Sequence, residues 1–409
     1  MEMKLNWKTA AVWIALFLIA GCGGAKNTGP APVPKQQSAP GAEPSFAAAE
    51  QQFAFELFRE LVKQEGLSHN IFLSPYSVQQ ALVITANGAA EDSRKELLDA
   101  LHLKRMRMTS INKASRSVKQ FFHTLEHGEL SVANSIWSRP DVKKSFADTI
   151  KGLGHAYQLD RDLQKAADNI NDWTAKETKG RIEKIVDRVS PDTLALIINA
   201  VYFKESWKQP FDSNLTVPQK FYSSDGSSTK HPMMMQTNRL PYLENKDFQA
   251  VKLPYQDEHL AFVVILPKKT KTLQSLLPVM TYEHWRDWQK EWELKQVELK
   301  LPRFSFATEY VLNKPLKNMG MQTVFHHADF SNLFAEKTGG FISEVKHNTF
   351  IQVDEKGTEA GAATKVEIVE SAAVPDVAMT VDRPFYFAVT DEKTGMLHFL
   401  GSIAKPTEK

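Results

Sequence analysis

The sequence predicts an α+β fold, with helices grouped early in the chain and large, mostly antiparallel sheets later. Three observations carry this. Apolar residues recur at helical spacing through much of the first half. Alternating or continuously apolar stretches dominate the second half. No fixed-period repeat and no second linker interrupts residues 46–409, which read as one large domain.

In chain order, Phe53, Leu57, Phe58, Leu61 and Val62 form one helical face, and Gly66 stops that helix. Ser74-Pro75 opens a second: the hydroxyl can cap, and the proline stands where no N–H partner is needed. Its inner face is Val78, Ala81, Leu82 and Thr85, and Asp92 is the expected cap of a third helix running through Leu101. Residues 163–178 read as helix with Ile170 and Trp173 inward, and strands are expected over 130–137 and 194–203. The continuous apolar run 261–266 predicts a buried strand. Val297, Leu299 and Leu301 alternate with charges, and further strands are expected over 341–353, 384–390 and 396–403. Helices are expected near 272–292 and 309–319.

Composition bounds the function. With 42% hydrophobic and 24% charged residues, most of the chain is expected to be globular, and a multi-span membrane protein is excluded. A net charge of +2 gives no electrostatic pull toward nucleic acid. The single cysteine, Cys22, lies in an export signal, so the folded part has no disulfide, no Cys-ligated metal and no cysteine nucleophile. Lys4 and Lys8 precede the apolar run 9–20, which ends Leu18-Ile19-Ala20-Gly21-Cys22. This is similar to the lipobox of bacterial lipoproteins, with an ordinary secretory signal as the alternative. Residues 1–21 are then a signal peptide, and a lipid on Cys22 holds an exported protein at the outer face of a membrane. Residues 22–45 are rich in Pro, Ala and Gly, with Val33 the only large aliphatic, and read as a tether.

Enzyme motifs fail. GxGxxG, GxxxxGK, GxSxG and HExxH do not occur. His326 and His327 are adjacent, so on a strand they would face opposite sides; no metal site and no cofactor are expected. SxxK occurs at Ser227–Lys230 and Ser343–Lys346, and KTG at 337–339 and 393–395, as in exported penicillin-binding proteins and serine β-lactamases. That chemistry needs SxxK at the start of a buried helix, whereas Ser227 lies in a polar turn and Ser343 in a strand pattern. No catalytic residue is assigned.

Residues 358–369 alternate. Thr358, Ala360, Ala362, Thr364, Val366 and Ile368 are small or apolar, while Glu359, Gly361, Ala363, Lys365, Glu367 and Val369 are mostly charged or small. This is a strand with one face fit for burial and few bulky side chains at its start.

The stretch Glu355-Lys356-Gly357-Thr358-Glu359-Ala360-Gly361-Ala362-Ala363-Thr364 resembles the reactive-loop hinge of an inhibitory serpin. The resemblance spans residues 46–406 and includes Asn70–Ser77, Asn199–Trp207, Ile342–His347, Asp382–Phe385 and Phe399–Ile403. It implies three β-sheets, eight or nine helices and an exposed reactive loop, in a monomer. It also implies a mechanism: a target serine protease attacks the loop, a covalent acyl-enzyme forms, and the cut loop inserts into the large sheet, distorting the protease. A non-inhibitory carrier would more typically have bulky or charged residues where Thr358 and 360–363 stand.

By the same resemblance, Ser74, Ser77, Asn199 and His347 form the shutter beneath the strands that part. Trp207 and Arg303 belong to the breach above, with Arg303 and Glu355 as a surface ion pair. Counting from Gly357 places the scissile bond at Ser371–Ala372. The segment before Pro384 is longer than the common pattern, which leaves Ala372–Ala373 and Ala373–Val374 open. Small residues there suit elastase- or subtilisin-like proteases; Glu370 as bait for a glutamate-specific protease is the alternative. Lys113, Arg116 and Lys119, three apart in a basic stretch with Lys104, Arg105 and Arg107, match a region that binds polyanions in some serpins, against the plainer reading of a solvated helix face.

Overall fold

The computed structural model describes residues 44–122, 124–125, 128–336, 340–358 and 374–408. Cys22, the signal and tether up to residue 43, and loop residues 359–373 lie outside the described residues.

The chain begins with α1 (Pro44–Glu65), which buries Phe53, Leu57, Phe58, Leu61 and Val62 and ends at Gly66, whose φ of +77° suits glycine. A short β1 (Ile71–Leu73) leads into α2 (Pro75–Gly88), buried almost all round. Ser74 caps α2, its hydroxyl accepting from Ser77 N–H at 3.2 Å. In α3 (Glu91–Ala100) the N-cap is Ala90 rather than Asp92, which lies in the first turn, where a carboxylate complements the helix dipole. Then come α4 (Met108–Phe122), β2 (Gly128–Ser138), α5 (Lys144–Ile150), β3 (His155–Gln158), α6 (Leu163–Glu177) and β4 (Ala195–Ser206).

The next strands, β5 (Val217–Tyr222), β6 (Ser228–Glu244) and β7 (Phe248–Pro254), precede the wholly buried β8 (Leu260–Pro267). Residues 272–292 are not one helix. Pro278 breaks the stretch into α7 (Leu273–Leu276) and α8 (Tyr282–Trp288), joined by a 3-10 turn. After β9 (Glu293–Pro302) comes β10 (Phe304–Val311). The expected helix at 309–319 shrinks to α9 (Asn313–Asn318), because Glu309, Tyr310 and Val311 pair with Asn348, His347 and Lys346. His326 and His327 follow a 3-10 turn and are exposed, not part of a strand. The chain closes with β11 (Ile342–Val353), β12 (Gly357–Thr358), β13 (Val377–Thr380), β14 (Phe385–Asp391) and β15 (Leu397–Ile403).

The described residues hold nine α-helices, within the eight or nine that the resemblance implies. Hydrogen bonding traces a six-stranded sheet, β10-β11-β12-β4-β2-β3, and a nine-stranded one. The latter joins what the resemblance counts as two sheets, because the 17-residue β6 runs through both. Between the sheets lies the main core, where Phe72 stacks on Phe387 and Phe399, and Phe399 meets Phe203 of β4. The other face of β4, with Leu196, Ile198 and Ala200, is buried against α6. Both faces of β4 are therefore dry, which makes it a fixed rail beside which another strand can be placed.

Candidate functional site: a strand slot between β4 and β11

β4 and β11 pair directly, in parallel, from Ile342↔Ala195 to Thr349↔Val201. Beyond that they separate. After Val353 the chain turns and returns as β12, antiparallel between the two strands. Thr358 is opposite Val353 on one side and Glu205 on the other, and Gly357 is opposite Ser206. Asp354 builds the turn: its Oδ1 accepts from the N–H groups of Lys356 (2.8 Å) and Gly357 (3.3 Å). Gly357 is demanded by close approach, since a Cβ there would lie 2.1 Å from the carbonyl oxygen of Glu205. Thr358 is buried, and its hydroxyl hydrogen-bonds the Tyr255 hydroxyl at 2.6 Å on the inner face.

Above the slot, Trp207 stacks on Tyr255 with ring centroids 4.7 Å apart, and its Nε1–H donates to the Asp354 carbonyl at 2.8 Å. Glu355 is not half of a surface pair. It is 8% exposed and accepts both from Arg303 Nη2 at 2.6 Å and from the Thr216 hydroxyl at 2.7 Å. Burial pushes its carboxyl up, but the hydrogen bonds from Thr216 and Arg303 outweigh this and hold it below the usual carboxylate range. Arg303 remains half-exposed, and Phe211 N–H donates to the Glu355 carbonyl at 2.8 Å.

Beneath the paired region the structure brings together Ser74, Ser77, Asn199 and His347, all fully buried. Ser74 N–H donates to His347 Nε2 at 3.0 Å, so the ring proton is on Nδ1 and is donated to Asn199 Oδ1. The Asn199 amide donates to the Ser77 carbonyl at 3.1 Å and also reaches the Ser77 hydroxyl and Asn134 Oδ1. The Ser74 hydroxyl donates to the His398 carbonyl at 2.7 Å, tying α2 to β15. Burial lowers the His347 pKa to about 3, so the ring stays neutral.

The remaining sequence candidates separate. Hinge residues Glu359, Ala360, Gly361, Ala362, Ala363 and Thr364, and the bait residues Glu370, Ser371, Ala372 and Ala373, lie outside the described residues; Val374 is 85% exposed. In the basic stretch Lys104, Arg105, Arg107, Lys113 and Arg116 are exposed, and Lys119 is half-buried. Arg116 also donates to the carbonyls of Thr149 (2.5 Å) and Lys151 (3.2 Å), and Lys119 to that of Leu153 (3.2 Å), at the end of α5. Ser227 sits in the turn before β6 and Ser343 on β11, so neither SxxK opens a helix. Among the described residues no group of three or more His, Cys, Asp or Glu side chains could hold a metal ion.

Sequence reasoning missed Asn134, Thr216, Asp354, Tyr255 and Glu205. Asn134, Thr216 and Tyr255 are polar residues without a local motif, drawn in by segments far apart in the chain, whereas Asp354 acts locally, on Lys356 and Gly357 just after it. Glu205 had a signal: a charged residue in an otherwise apolar inner-face series, Val201 and Phe203.

A profile of the family described as serpin (serine protease inhibitor) matches residues 48–406. The chain is 33% identical to an uncharacterised serpin-like protein of Thermococcus kodakarensis, covering 90% of this chain and 87% of that one. It is 32% identical to serpin A3-6 of Bos taurus, covering 89% of each. Among solved structures it resembles the thermophilic serpin tengpin in its native state (TM-score 0.81, 30% identity, covering 88% of this chain and 94% of that one). It also resembles human thyroxine-binding globulin complexed with thyroxine (TM-score 0.80, 25% identity, covering 89% and 99%). The chain belongs to the serpin family.

Proposed function

We propose that this protein inhibits serine proteases as a suicide substrate. The observation that supports this best is the placement of Gly357–Thr358 at the head of the slot, in register with Glu205 and Val353. Extending that register along β4 would bring Ala360 opposite Phe203, Ala362 opposite Val201 and Thr364 opposite Asn199. The small and apolar set then shares Thr358's inner face, and the charged set meets water. Adding a strand satisfies the edges of two strands at once and buries apolar surface.

The chemistry runs as follows. The protease serine Oγ attacks the Ser371 carbonyl carbon, the Ser371–Ala372 amide bond breaks, and the Ala372 nitrogen leaves as an amine after taking a proton. Ser371 is left esterified to the protease. Insertion of 359–371 drags the ester across the sheet before water can cleave it. Small residues at Ser371, Ala372 and Ala373 suit the narrow first pockets of elastase- and subtilisin-like enzymes. Cys22, lipidated, would hold the inhibitor at the outer face of a membrane, with residues 23–45 as tether.

A second reading, a carrier, is favoured by a cleft of about 800 Å³ between α1, α8 and the β14–β15 turn, lined by Gln51, Lys252, Tyr282, Arg286, Trp292 and Glu392. One experiment separates the two. Mixing with subtilisin or elastase should give an SDS-stable complex and a released fragment starting at Ala372. Cleavage without a complex, and without a rise in Tm, would sink the inhibitor reading and leave the carrier.

A further inference from the structure

Glu205 lies directly beside the mouth of the slot. Along β4, Val201 and Phe203 present apolar side chains to the inner face, and Glu205 places a carboxyl there with no exposed surface. Its Oε1 accepts from Ser206 N–H at 3.0 Å, while Oε2 has no hydrogen-bond partner among the described residues. The carboxyl lies across Gly128 of β2, where a Cβ would come within 1.6 Å of Oε2. On its other side stands Thr358 of β12.

Among the described residues no charged side chain around it offers compensation, although the Asp257 backbone donates to it. From the turn after β7, the Asp257 carboxylate repels it, and the Tyr255 hydroxyl is engaged by Thr358. On β2, Glu129 is paired with Lys179 at 2.5 Å. On β4, Lys204 alternates to the other face, and β12 brings no charge.

We propose that Glu205 is a proton-operated latch on the hinge: protonated, it retains Gly357–Thr358 between β4 and β11; ionised, it favours their withdrawal. This rests on reading residues 357–371 as an insertion loop. An ionised carboxylate with one unpaired oxygen in a buried site is costly. It lies over Gly128 of β2, with Thr358 as its cross-strand neighbour on the other side, so withdrawal of β12 would remove the strand on that side and let water in. Burial raises its pKa to about 7 with the hinge in place, opposed by the Ser206 N–H bond, helped by repulsion from the Asp257 carboxylate and opposed again by a backbone hydrogen bond from Asp257. With the hinge out, the hydrated carboxyl returns toward the ordinary range, so insertion takes up a proton. The retained state is therefore fully favoured below the ordinary carboxylate range, loses ground as pH rises toward 7, and is level above it.

The test is hydrogen exchange at the Thr358 amide of the intact, uncleaved protein at pH 5 and pH 8, corrected for the intrinsic exchange rate. Protection should fall roughly tenfold or more from pH 5 to pH 8 in the wild type. Glu205→Gln should show the same protection at both. Asp257→Asn, with the repulsion removed, should move the midpoint to lower pH, and it serves if the Gln variant does not fold. Equal protection at both pH values in the wild type, or unchanged pH dependence in Glu205→Gln, overturns the latch. No protease is needed, so the two readings fail separately. A pH-dependent hinge without an SDS-stable complex removes only the inhibitor reading; a complex with a pH-independent hinge removes only the latch.

Discussion

His347 and Asn199 are cross-strand partners in the stretch where β11 and β4 still pair, and the His347 Nδ1–H donates to Asn199 Oδ1. They lie two positions below Thr349↔Val201, the last direct pair before the slot opens. A strand advancing down the slot from Thr358 therefore breaks two pairs and then meets this bond. Because His347 Nε2 also accepts from Ser74 N–H, the cluster ties β4 and β11 to α2 beneath them.

His347→Ala should lower the Tm of the uncleaved protein. It leaves the Ser74 N–H and Asn199 Oδ1 unpaired in a dry site and opens a small cavity, a loss of about 3 kcal/mol. Thermal unfolding of both proteins checks this, and an unchanged Tm would mean that the cluster does not bind the strands together.

Thr358→Arg should turn the inhibitor into a substrate. Position 358 is buried against Tyr255, and a guanidinium there would be unpaired at a cost of several kcal/mol. Insertion slows, water cleaves the acyl-enzyme first, and the gel should show cleaved protein without complex. Cut near Ser371, the wild type should gain a strand and a much higher Tm. Inhibition by Thr358→Arg equal to wild type would contradict insertion.

His398→Leu should stabilise the protein, increasingly so as pH falls. Both ring nitrogens of His398 are buried without a hydrogen-bond partner among the described residues, and burial, partly offset by Asp391, lowers its pKa to about 4. The unfolded chain takes up a proton below about pH 6.5 that the folded ring refuses, so the wild type loses stability as pH falls through that value toward 4. The gain should be about 1 kcal/mol near pH 8. Denaturant curves at pH 8 and pH 5 measure the difference; a gap that does not widen in acid would show that the ring finds a partner.

Cys22→Ala should release the protein from membranes or leave its precursor unprocessed. The basis is the run ending Ala20-Gly21-Cys22 and the Pro-, Ala- and Gly-rich stretch behind it. Fractionation of cells expressing either form decides it, with unchanged membrane attachment counting against lipidation. No helix among the described residues is long and apolar enough to cross a membrane.

Periodicity alone located much of the fold. The five apolar residues of α1, the Ser74 cap, the run of β8 and the alternation of β9 all register local preferences, and they stand where local chemistry put them. The block 217–254 was not legible. β6 carries Pro232 and Pro241, and its buried residues follow no steady alternation, because along its length it pairs with β5, β9 and β7 in turn. The helix expected at 309–319 failed for a related reason: pairing with β11 overrides a weak local preference at Glu309–Val311.

What the sequence by itself determined is the family, from motifs such as 199–207 and 355–364, and the small, alternating character of residues 358–369. Such features are written in consecutive residues, where spacing alone carries the information. What the tertiary structure decided is which groups those residues meet. Glu355 becomes a buried acceptor between Arg303 and Thr216, Arg116 and Lys119 donate to backbone carbonyls at the end of α5, and Glu205 lies over Gly128 with Thr358 as its cross-strand neighbour. Each depends on a neighbour 33 to 153 positions away, and burial, which sets the strength of a charge or hydrogen bond, exists only once those distant segments have packed.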